Sequence, residues 1–467
     1  MANYYEELLK LCGFEDVDIN KERPRIERAF KKLELGPEDM KSAEAWIRQN
    51  HDVELRGVRK LLGAWLRELI DLVLARDEGK KVVYYGFPSI QGPGLMIKAA
   101  APEEIYCACP DAVLCHTMGQ IFNKLTPILE AGEVNGLPLG HGLCTLQTIR
   151  VGALAKGIIP VPDLALGSSY LCDMGSKTDE LLHERYGHPA VYVDGSMDSR
   201  WGEFPHYLPE RVKFLGAELN KLIPRAKEIL GLELTPDIWN KGMASNKQNR
   251  VEVRKIAELM KADPQPISIV EAELATLTIS ASTGRAMTYG AEALAVLNRE
   301  VRKRVEKGVG IIEKGSPKVM LFLASFSDPS IGHMMEDAGL AIPVMLNNAP
   351  LRMEPWETSY TALGEIIAET TMKVGMYHGT YATAKRWAEV VEDFNLDGSI
   401  WGYQYNCRPL AQSSHLHPKV VEEVTGRPCL SLEMDYYESR TYGTAALRTR
   451  VEAFSEMLRA RKKLPKV

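Results

Sequence analysis

Three cysteines stand where the sequence would leave a thiol exposed instead of packed in a core. Cys144 lies in GHGLCTLQ, Cys172 in SSYLCDMGSK and Cys407 in YNCRPLAQSS, each at the boundary of an expected helix or strand. A cysteine thiolate is a nucleophile and a ligand for soft metal ions and iron–sulfur clusters. The three lie far apart in sequence and match neither a ferredoxin run nor a zinc ribbon. Their spacing alone therefore leaves two interpretations open, a shared metal site and three small buried residues.

The other five cysteines fall into two groups. Cys12 and Cys429 have apolar neighbours, and we interpret them as small hydrophobic residues of the core. Cys107, Cys109 and Cys115 lie close together in YCACPDAVLC. A C-x-C pair can bind metal, but no second cysteine pair or histidine follows at the spacing of a zinc site. For these three, burial and a metal role both stay open.

Other motifs of catalysis are absent or incomplete. HERYGH, from His183 to His188, resembles the metalloprotease signature HExxH but has one residue too many, so its two imidazoles would not share a helix face. We interpret it as a solvated helix end. The sequence has no Walker phosphate loop, no G-x-G-x-x-G fingerprint and no G-x-S-x-G nucleophile elbow. P-loop ATP hydrolysis, a standard dinucleotide site and a serine hydrolase are thus disfavoured, and any nucleotide chemistry belongs to a partner.

Composition narrows the class of protein. The 467 residues are 45% hydrophobic and 25% charged, which is typical of a globular protein of two or three domains. A formal charge of −5, with scattered Lys and Arg, favours neither nucleic acid nor an anionic membrane as a partner. The first residues contain early acidic groups and no apolar export signal, and no uncharged apolar run approaches the ~18 residues of a membrane span. We expect a cytoplasmic location, where eight cysteines would not form disulfides.

The elements that must position these residues alternate in type along the chain. Residues 1–78 have apolar residues at helical spacing, and 79–205 alternate short β-branched runs with helical stretches, as in an α/β domain with a mainly parallel sheet. Helical periodicity returns over 206–313, and the alternating pattern repeats over 314–467, with a helix at the end. The fold class predicted is therefore α/β, with two doubly wound, Rossmann-like domains, a helical N-terminal region and a helical middle segment.

The three cysteines fall at functionally favourable points of this architecture. Cys144 starts a helical stretch, where free backbone N–H groups favour a thiolate. Cys172 follows the expected strand DLALGSSY, and Cys407 ends the expected strand SIWGYQYN. Ligands of doubly wound sheets bind beyond the carboxyl ends of the strands. Because two of the cysteines belong to the first α/β domain and one to the second, a site formed by all three would lie between the domains.

Around these cysteines the chain resembles the superfamily of 2-hydroxyacyl-CoA dehydratases and ATP-dependent (class I) benzoyl-CoA reductases. The resemblance runs over about residues 80–460 and rests on three stretches, which are GLCTLQTIRVGALAKGIIPVPD, SSYLCDMGSKTDELLHERYGHPAVYVD and GYQYNCRPLAQSSHLHPKVVEEVTGRPCLSLEMDYYESRTYG. The last is the most specific, since it joins a cysteine after a strand to a helix, a Gly-x-Pro, an Asp-containing strand and the terminal TRVEAF helix.

The resemblance implies a [4Fe–4S] cluster held by three cysteines, with one iron left without a thiolate. Carried over motif by motif, the ligands are Cys144, Cys172 and Cys407. It further implies a coenzyme A thioester as substrate, a related cluster-bearing subunit as partner, and a separate iron–sulfur activator that hydrolyses ATP and receives electrons from a ferredoxin-type donor. The missing phosphate loop agrees with that division of labour. Such a cluster is suited to single electrons of very low potential, which nicotinamide cofactors do not donate.

The resemblance leaves the acyl group undecided. The lead-in RGVRKLLGAWLRELIDLVLAR…KKVVYYGFPS and the stretch CDMGSKTDELLHERYG are closer to the cluster-bearing subunit of benzoyl-CoA reductase, which predicts reductive dearomatisation of benzoyl-CoA or an analogue. A subunit of an (R)-2-hydroxyacyl-CoA dehydratase is the alternative. A double-cubane reductase of small molecules would need extra ligands among Cys107, Cys109 and Cys115. A non-catalytic partner subunit without its own metal is the remaining interpretation.

Polar residues near the three cysteines are candidates for hydrogen bonding and proton donation. They are His141, Asp173, Lys177, Gln404 and Arg408. Helix capping and surface solvation explain the same residues, and Asp173 suits a helix N-terminus on electrostatic grounds alone. Near the C-terminus Arg440, Arg448 and Arg450 are expected to form structural ion pairs and not to bind the phosphates of coenzyme A.

Overall fold

The computed structural model describes most of the chain, and everything below concerns these residues: 4–86, 91–136, 144–169, 172–195, 208–323, 325–346, 357–373, 379–404, 406–440 and 443–463. His141 lies outside them. Among these residues, no helix combines the length and the apolar composition needed to cross a membrane.

The chain begins with four helices, as the helical periodicity predicts. They are α1 (Glu6–Leu11), α2 (Asp16–Lys32), α3 (Pro37–Asn50) and α4 (Arg56–Leu74). The helix α4 is buried over most of its length, because RGVRKLLGAWLRELIDLVL carries apolar residues on nearly every face.

The first sheet is parallel and follows directly. Its strands and helices alternate in the order β1 (Lys81–Tyr85), α5 (Gln91–Ala100), β2 (Ile105–Ala108), α6 (Pro110–Leu114), α7 (Thr126–Asn135), α8 (Thr145–Ala155), β3 (Leu164–Ser168), α9 (Asp173–Tyr186) and β4 (Ala190–Val193). A single π-helical turn, Cys115–Gly119, continues α6. Strands such as KVVYY are buried on both faces after their first residue, because helices cover both faces of the sheet.

Helices form the middle of the chain. They are α10 (Pro209–Leu219), α11 (Leu222–Arg225), α12 (Pro236–Leu259), α13 (Ile269–Ser280) and α14 (Arg285–Glu306). The helix α14 packs along α4. At one end of this contact Asp71 accepts hydrogen bonds from Arg25 and Arg285, at 2.7 and 2.8 Å. The N-terminal and middle helices are thus joined to each other and pack beside the first sheet.

A second parallel sheet closes the chain. Its elements are β5 (Lys318–Phe322), α15 (Ser330–Asp337), β6 (Ala341–Met345), α16 (Leu363–Met372), α17 (Thr380–Asp393), β7 (Gly398–Tyr403), α18 (Arg408–Gln412), α19 (Leu416–Thr425), β8 (Cys429–Glu433) and the terminal α20 (Thr444–Lys463). A core centred on Phe322, Trp387 and Trp401 fills one face of this sheet.

Both sheets have the same strand order. It is β2-β1-β3-β4 in the first and β6-β5-β7-β8 in the second, with every pairing parallel. The fold class predicted from the sequence, α/β with two doubly wound domains and mainly helical remaining segments, is confirmed. In each sheet the order reverses beside the first strand, between β1 and β3 and between β5 and β7, and such reversals open a crevice at the carboxyl ends of the strands.

Candidate functional site

Each of the three candidate cysteines is the residue directly before a helix. Cys144 caps α8, Cys172 caps α9 and Cys407 caps α18, all with extended backbone dihedral angles. Cys172 and Cys407 also follow β3 and β7, the strands at the reversal of each sheet. The strand before Cys407 is shorter than predicted, because β7 ends at Tyr403 and a turn brings the Cys407 N–H to within 3.1 Å of the Gln404 carbonyl. The sulfurs therefore lie at helix starts, where backbone N–H groups have no helical partner.

Backbone N–H groups at these helix starts point at the sulfurs. Hydrogen bonds from Gln147 to Cys144, from Met174 and Gly175 to Cys172, and from Leu410 to Cys407 lower the thiol pKa in each case. Burial has the larger and opposite effect. It raises the pKa of all three thiols, that of Cys407 to about 12, so the metal-free side chains are protonated at neutral pH. A metal that binds them must displace those protons.

The structure brings the three thiols together. Negative charge on Cys172 and Cys407 raises the pKa of Cys144, and charge on Cys172 raises that of Cys407, which requires the sulfurs to lie near one another. Cys144 is only 9% exposed, contrary to the expectation of an exposed thiol, because helix α8 is buried from its first turn. Cys172 and Cys407 are partly exposed. The three form one small group with one buried and two more accessible members.

Three cysteine thiols are a donor set whose chemistry suits a soft metal ion or an iron–sulfur cluster. Within the described residues, no three His, Cys, Asp or Glu side chains are spaced to hold one metal ion. A cubane binds each cysteine to a different iron, so its ligands stand farther apart than those of a mononuclear site. The Gln147 side chain is fully buried and its amide lies against Cys172, yet neither amide atom has a conventional hydrogen-bond partner among the described groups. An N–H donor beside a cysteine sulfur is the kind of group that hydrogen-bonds to the thiolates and sulfides of a cluster.

Asp435 links the surroundings of Cys144 and Cys407. It follows β8, and its carboxylate accepts hydrogen bonds from the Thr145 hydroxyl, the Gln404 side-chain amide and the Tyr437 backbone N–H. Thr145 is the residue after Cys144, and Gln404 belongs to the turn that carries Cys407. One partly buried carboxylate thus joins helix α8 of the first sheet to strand β7 of the second.

An ion pair makes a second link between the two halves. Arg408, the first residue of α18, donates to the carboxylate of Asp173, the first residue of α9. Both side chains are about half exposed, with 57% and 46% of their surface accessible. Solvent therefore screens the pair, and its contribution to stability is small.

A buried arginine organises the helices below the thiols. Arg150 of α8 pairs with Asp179 of α9 at 2.7 Å and with Asp111 of α6 at 3.2 Å, and all three residues are at most 2% exposed. Gly86, just after β1, leaves room for the guanidinium, since a Cβ there would lie 2.3 Å from Arg150 Nη1. The helices that begin at Cys144 and Cys172 are therefore held to each other and to α6.

The remaining cysteines lie in the core. Cys12, Cys107, Cys109 and Cys115 are at most 1% exposed, and burial raises the pKa of each thiol. Cys429 is partly exposed in β8, and burial raises its thiol pKa to about 12. Cys109 directly precedes α6, just as the three candidate cysteines directly precede their helices. Its sulfur, however, lies 3.8 Å from the carboxylate of Asp111.

Several polar candidates have structural partners. Lys177 pairs with Glu180 at 2.8 Å on the surface, and Arg440 binds Glu133 and Glu438 as the expected structural ion pair. HERYGH is a helix end, as interpreted, since α9 ends at Tyr186 and Glu184 and Arg185 are exposed, but His188 is not solvated. His188 is 5% exposed, and its carbonyl lies 2.6 Å from Nδ1 of His183, because the chain turns back at Gly187 after α9.

Sequence reasoning missed several residues of the site. Thr145, Gln147 and Arg150 belong to the apolar-looking stretch TLQTIRVGALA, where their role depends on groups far away in the chain. Asp435 could have been noticed, because the family resemblance included the Asp-containing segment at the end of β8. No local pattern indicated which residues it would bind.

Comparison with known proteins assigns the chain to a family. The model of the 2-hydroxyglutaryl-CoA dehydratase D-component family matches residues 98–458, which include all three candidate cysteines. The chain belongs to the 2-hydroxyglutaryl-CoA dehydratase D-component family. This match confirms the resemblance to the family that was inferred from the three cysteine motifs.

Curated relatives are distant and include both reaction types. The (R)-phenyllactyl-CoA dehydratase alpha subunit of Clostridium sporogenes is 21% identical over 390 residues, which cover 83% of this chain and 92% of the relative. The (R)-2-hydroxyglutaryl-CoA dehydratase subunit alpha of Acidaminococcus fermentans is 21% identical, over 70% of this chain and 67% of the relative. A benzoyl-CoA reductase subunit of Thauera aromatica is 21% identical, over 68% of this chain and 78% of the relative.

Proposed function

We propose that this member of the dehydratase D-component family is the [4Fe–4S] subunit of an ATP-dependent enzyme that delivers low-potential electrons to an acyl-CoA thioester. Cys144, Cys172 and Cys407 are the proposed ligands. The observation that carries the proposal is the convergence of three thiols at three helix starts, with backbone N–H groups directed at each sulfur. Hydrogen bonds of this kind stabilise thiolates and tune the potential of a bound cluster.

When bound, the cluster would supply single electrons of low potential and one iron without a thiolate. The chain's own residues exclude water, donate hydrogen bonds and hold the helix starts in position. The buried helix α8 keeps water from the Cys144 side of the site, and the Gln147 amide donates toward the sulfur of Cys172. Arg150 and its two carboxylates hold the helix starts in place while the charge of the site changes.

The proposed partners follow from the division of labour between subunits. The curated relatives are each named as one subunit of a dehydratase or of a reductase, so those proteins work with other chains. For this chain we propose a related cluster-bearing subunit and a separate iron–sulfur activator that hydrolyses ATP and is reduced by a ferredoxin-type donor. The sequence has no P-loop, which supports placing ATP hydrolysis in the activator.

For the acyl group, reduction of benzoyl-CoA or an analogue is our first candidate. The resemblance of the lead-in before β1 and of the stretch after Cys172 to benzoyl-CoA reductase supports it, as does the match to the Thauera aromatica reductase subunit. Dehydration of an (R)-2-hydroxyacyl-CoA is the second candidate. It is supported by the phenyllactyl-CoA dehydratase relative, which this chain covers over 92% of its length.

Iron content tests the cluster. Purified without oxygen, the chain is expected to carry about four iron atoms and a brown chromophore. Changing Cys144, Cys172 or Cys407 to Ser should abolish both, whereas Cys429→Ala, a control in the neighbouring strand β8, should leave them unchanged. Full iron in all three serine variants would disprove the ligand assignment, and a colourless, iron-free wild-type chain would favour a non-catalytic subunit.

The substrate is tested with benzoyl-CoA and an (R)-2-hydroxyacyl-CoA offered separately. The assay contains the proposed partner subunit, its activator, ATP and a reductant. Loss of the aromatic absorbance without a dehydration product selects the reductase. Turnover of the hydroxyacyl thioester alone selects the dehydratase and rejects the first candidate.

A further inference from the structure

Asp435 stands at the junction of the two α/β halves but has no assigned role. It lies two residues beyond β8, at the carboxyl edge of the second sheet. Its two oxygens are both used. One accepts from the Thr145 hydroxyl, and the other accepts from the Gln404 amide and, at 3.0 Å, from the Tyr437 N–H. A carboxylate whose oxygens are already engaged by three donors is suited to holding those donors in place and not to binding iron itself.

The donors that Asp435 holds are next to two of the candidate ligands. Thr145 is bonded to Cys144 through the peptide chain and is the first residue of α8. Gln404 directly follows β7, and its carbonyl accepts the N–H of Cys407. Thr145 and Gln404 are 7% and 2% exposed, so both hydrogen bonds are shielded from water. A shift of the Asp435 carboxylate would therefore move the supports of Cys144 and Cys407 together.

The ion pair that joins two of the helix starts across the junction is weaker. Arg408 and Asp173 join the helix starts at Cys407 and Cys172, but both are about half exposed. Exposed ion pairs contribute at most about 1 kcal/mol, and salt weakens them further. The Asp435 hydrogen bonds, which are charge-assisted and shielded, hold the Cys144 and Cys407 sides more firmly than this ion pair holds its two helix starts.

We propose that Asp435 is a positioning residue that fixes the distance between Cys144 and Cys407 by holding Thr145 and Gln404. The proposal rests on the proposed function, since the spacing it sets is that of two cluster ligands. Groups that orient metal ligands without touching the metal commonly change metal affinity by about 10- to 100-fold when they are removed. Asp435 would thus act on retention and on the electronic structure of the cluster.

The test compares Asp435→Ala, Asp435→Asn and Thr145→Val in the full chain. Asp435→Ala removes both links, Asp435→Asn keeps the shape and one acceptor oxygen, and Thr145→Val removes only the link to the Cys144 side. Asp397→Asn is the matched control. That carboxylate also joins two elements, Lys318 N and Lys462 Nζ at 2.9 and 3.0 Å, but it lies before β7, at the opposite end of the strand.

The first measurements are the rate of iron loss to a chelator and the electron paramagnetic resonance spectrum of the reduced protein. Asp435→Ala should lose iron about tenfold faster than the wild type, Asp435→Asn and Thr145→Val should be intermediate, and Asp397→Asn should be unchanged. The spectrum of the iron that remains should shift in the three site variants. A general loss of stability would speed the release of iron without altering that spectrum, so the spectrum separates positioning from folding.

A second measurement needs no iron. Dibromobimane becomes fluorescent when it joins two thiols, and in the metal-free protein it should link Cys144 to Cys407, as peptide mass spectrometry would identify. Asp435→Ala should slow this reaction severalfold, and Asp397→Asn should not. If the wild type binds no iron but cross-linking depends on Asp435, the proposed function fails and the positioning role stands. If Asp435→Ala and Thr145→Val both keep the wild-type rate of cross-linking, rate of iron loss and spectrum, the positioning role is wrong. The proposed function is unaffected by that outcome.

Discussion

Arg150 and Asp179 form a salt bridge of 2.7 Å in which both side chains are almost completely buried. Arg150 lies in the helix that Cys144 starts, and Asp179 in the helix that Cys172 starts. Burial raises the pKa of Asp179 to about 6 although Arg150 lowers it, which shows how strongly the carboxylate depends on the guanidinium. The relative position of two proposed ligands is therefore tied to a buried charge pair.

Removing Arg150 should lower the free energy of unfolding. Arg150→Met leaves Asp111 and Asp179 buried without their cation, and breaking a buried pair in this way lowers the free energy of unfolding by about 3–5 kcal/mol. Urea denaturation of the metal-free protein measures it. Arg76→Met is the control, because Arg76 is 45% exposed in its pair with Asp163, and such pairs are worth at most about 1 kcal/mol. Equal losses in the two variants would contradict the structural role of Arg150.

Glu273 should make stability depend on pH. Burial raises its pKa from 4.5 to about 8, although hydrogen bonds from Gln120 and Phe326 N act in the opposite direction. Because the folded pKa lies above the unfolded one, the folded state keeps a proton between pH 4.5 and 8 that the unfolded state has released. This group's contribution is therefore fully present below pH 4.5 and is lost as the pH rises to 8, with a slope of at most about 1.4 kcal/mol per pH unit.

Glu273→Gln cannot titrate, so its unfolding free energy should fall less steeply over this range than that of the wild type. Urea denaturation at several pH values measures the slope. Glu180→Gln, which changes an exposed carboxylate paired with Lys177, should keep the wild-type slope. An unchanged slope in Glu273→Gln would show that this carboxyl is already ionised in the folded protein.

Gln147 should tune the potential of the proposed cluster. Its buried amide lies against Cys172, and a hydrogen bond to a ligand sulfur favours the reduced, more negative state of a cluster. Gln147→Met removes the donor at similar volume, so the midpoint potential should become more negative while iron content stays the same. A redox titration followed by paramagnetic resonance measures it. Gln412→Met, at an exposed position in the helix that Cys407 starts, should leave the potential unchanged, and a shift of equal size there would count against the prediction.

Cys109 and Cys115 test the double-cubane alternative. Both are at most 1% exposed, and Asp111 lies beside Cys109. Cys109→Ala and Cys115→Ala should therefore keep the wild-type iron content and lose only the packing of one sulfur, about 1 kcal/mol in unfolding free energy. Iron analysis after anaerobic purification decides the point, since a drop to a lower, reproducible stoichiometry in either variant would indicate additional ligands.

The sequence was sufficient for the fold class because local patterns encode it. Apolar strands such as KVVYY and KVMLF, separated by amphipathic helices, predict parallel sheets covered on both faces. The helix start at Cys144 was predicted for the same reason. The contacts that position the thiols were not predicted. Thr145 and Asp435 are 290 residues apart, and neither belongs to a local sequence pattern that indicates the other. The buried state of Cys144 and His188 likewise depends on tertiary packing that no local pattern records.

The common strand order of the two sheets has a consequence for the number of thiols. If the halves are superimposed by strand order, β3 corresponds to β7, and Cys172 and Cys407, which cap the helices that follow, become pseudo-symmetric equivalents. Cys144 caps the helix before β3, and its counterpart, before β7, is Gly379, the residue that caps α17. By strand order the two halves thus offer four corresponding helix starts, and three of them carry a sulfur. Gly379 stands at the fourth of these positions and brings no thiol, so the matching strand order leaves three cysteines, which are the three proposed ligands.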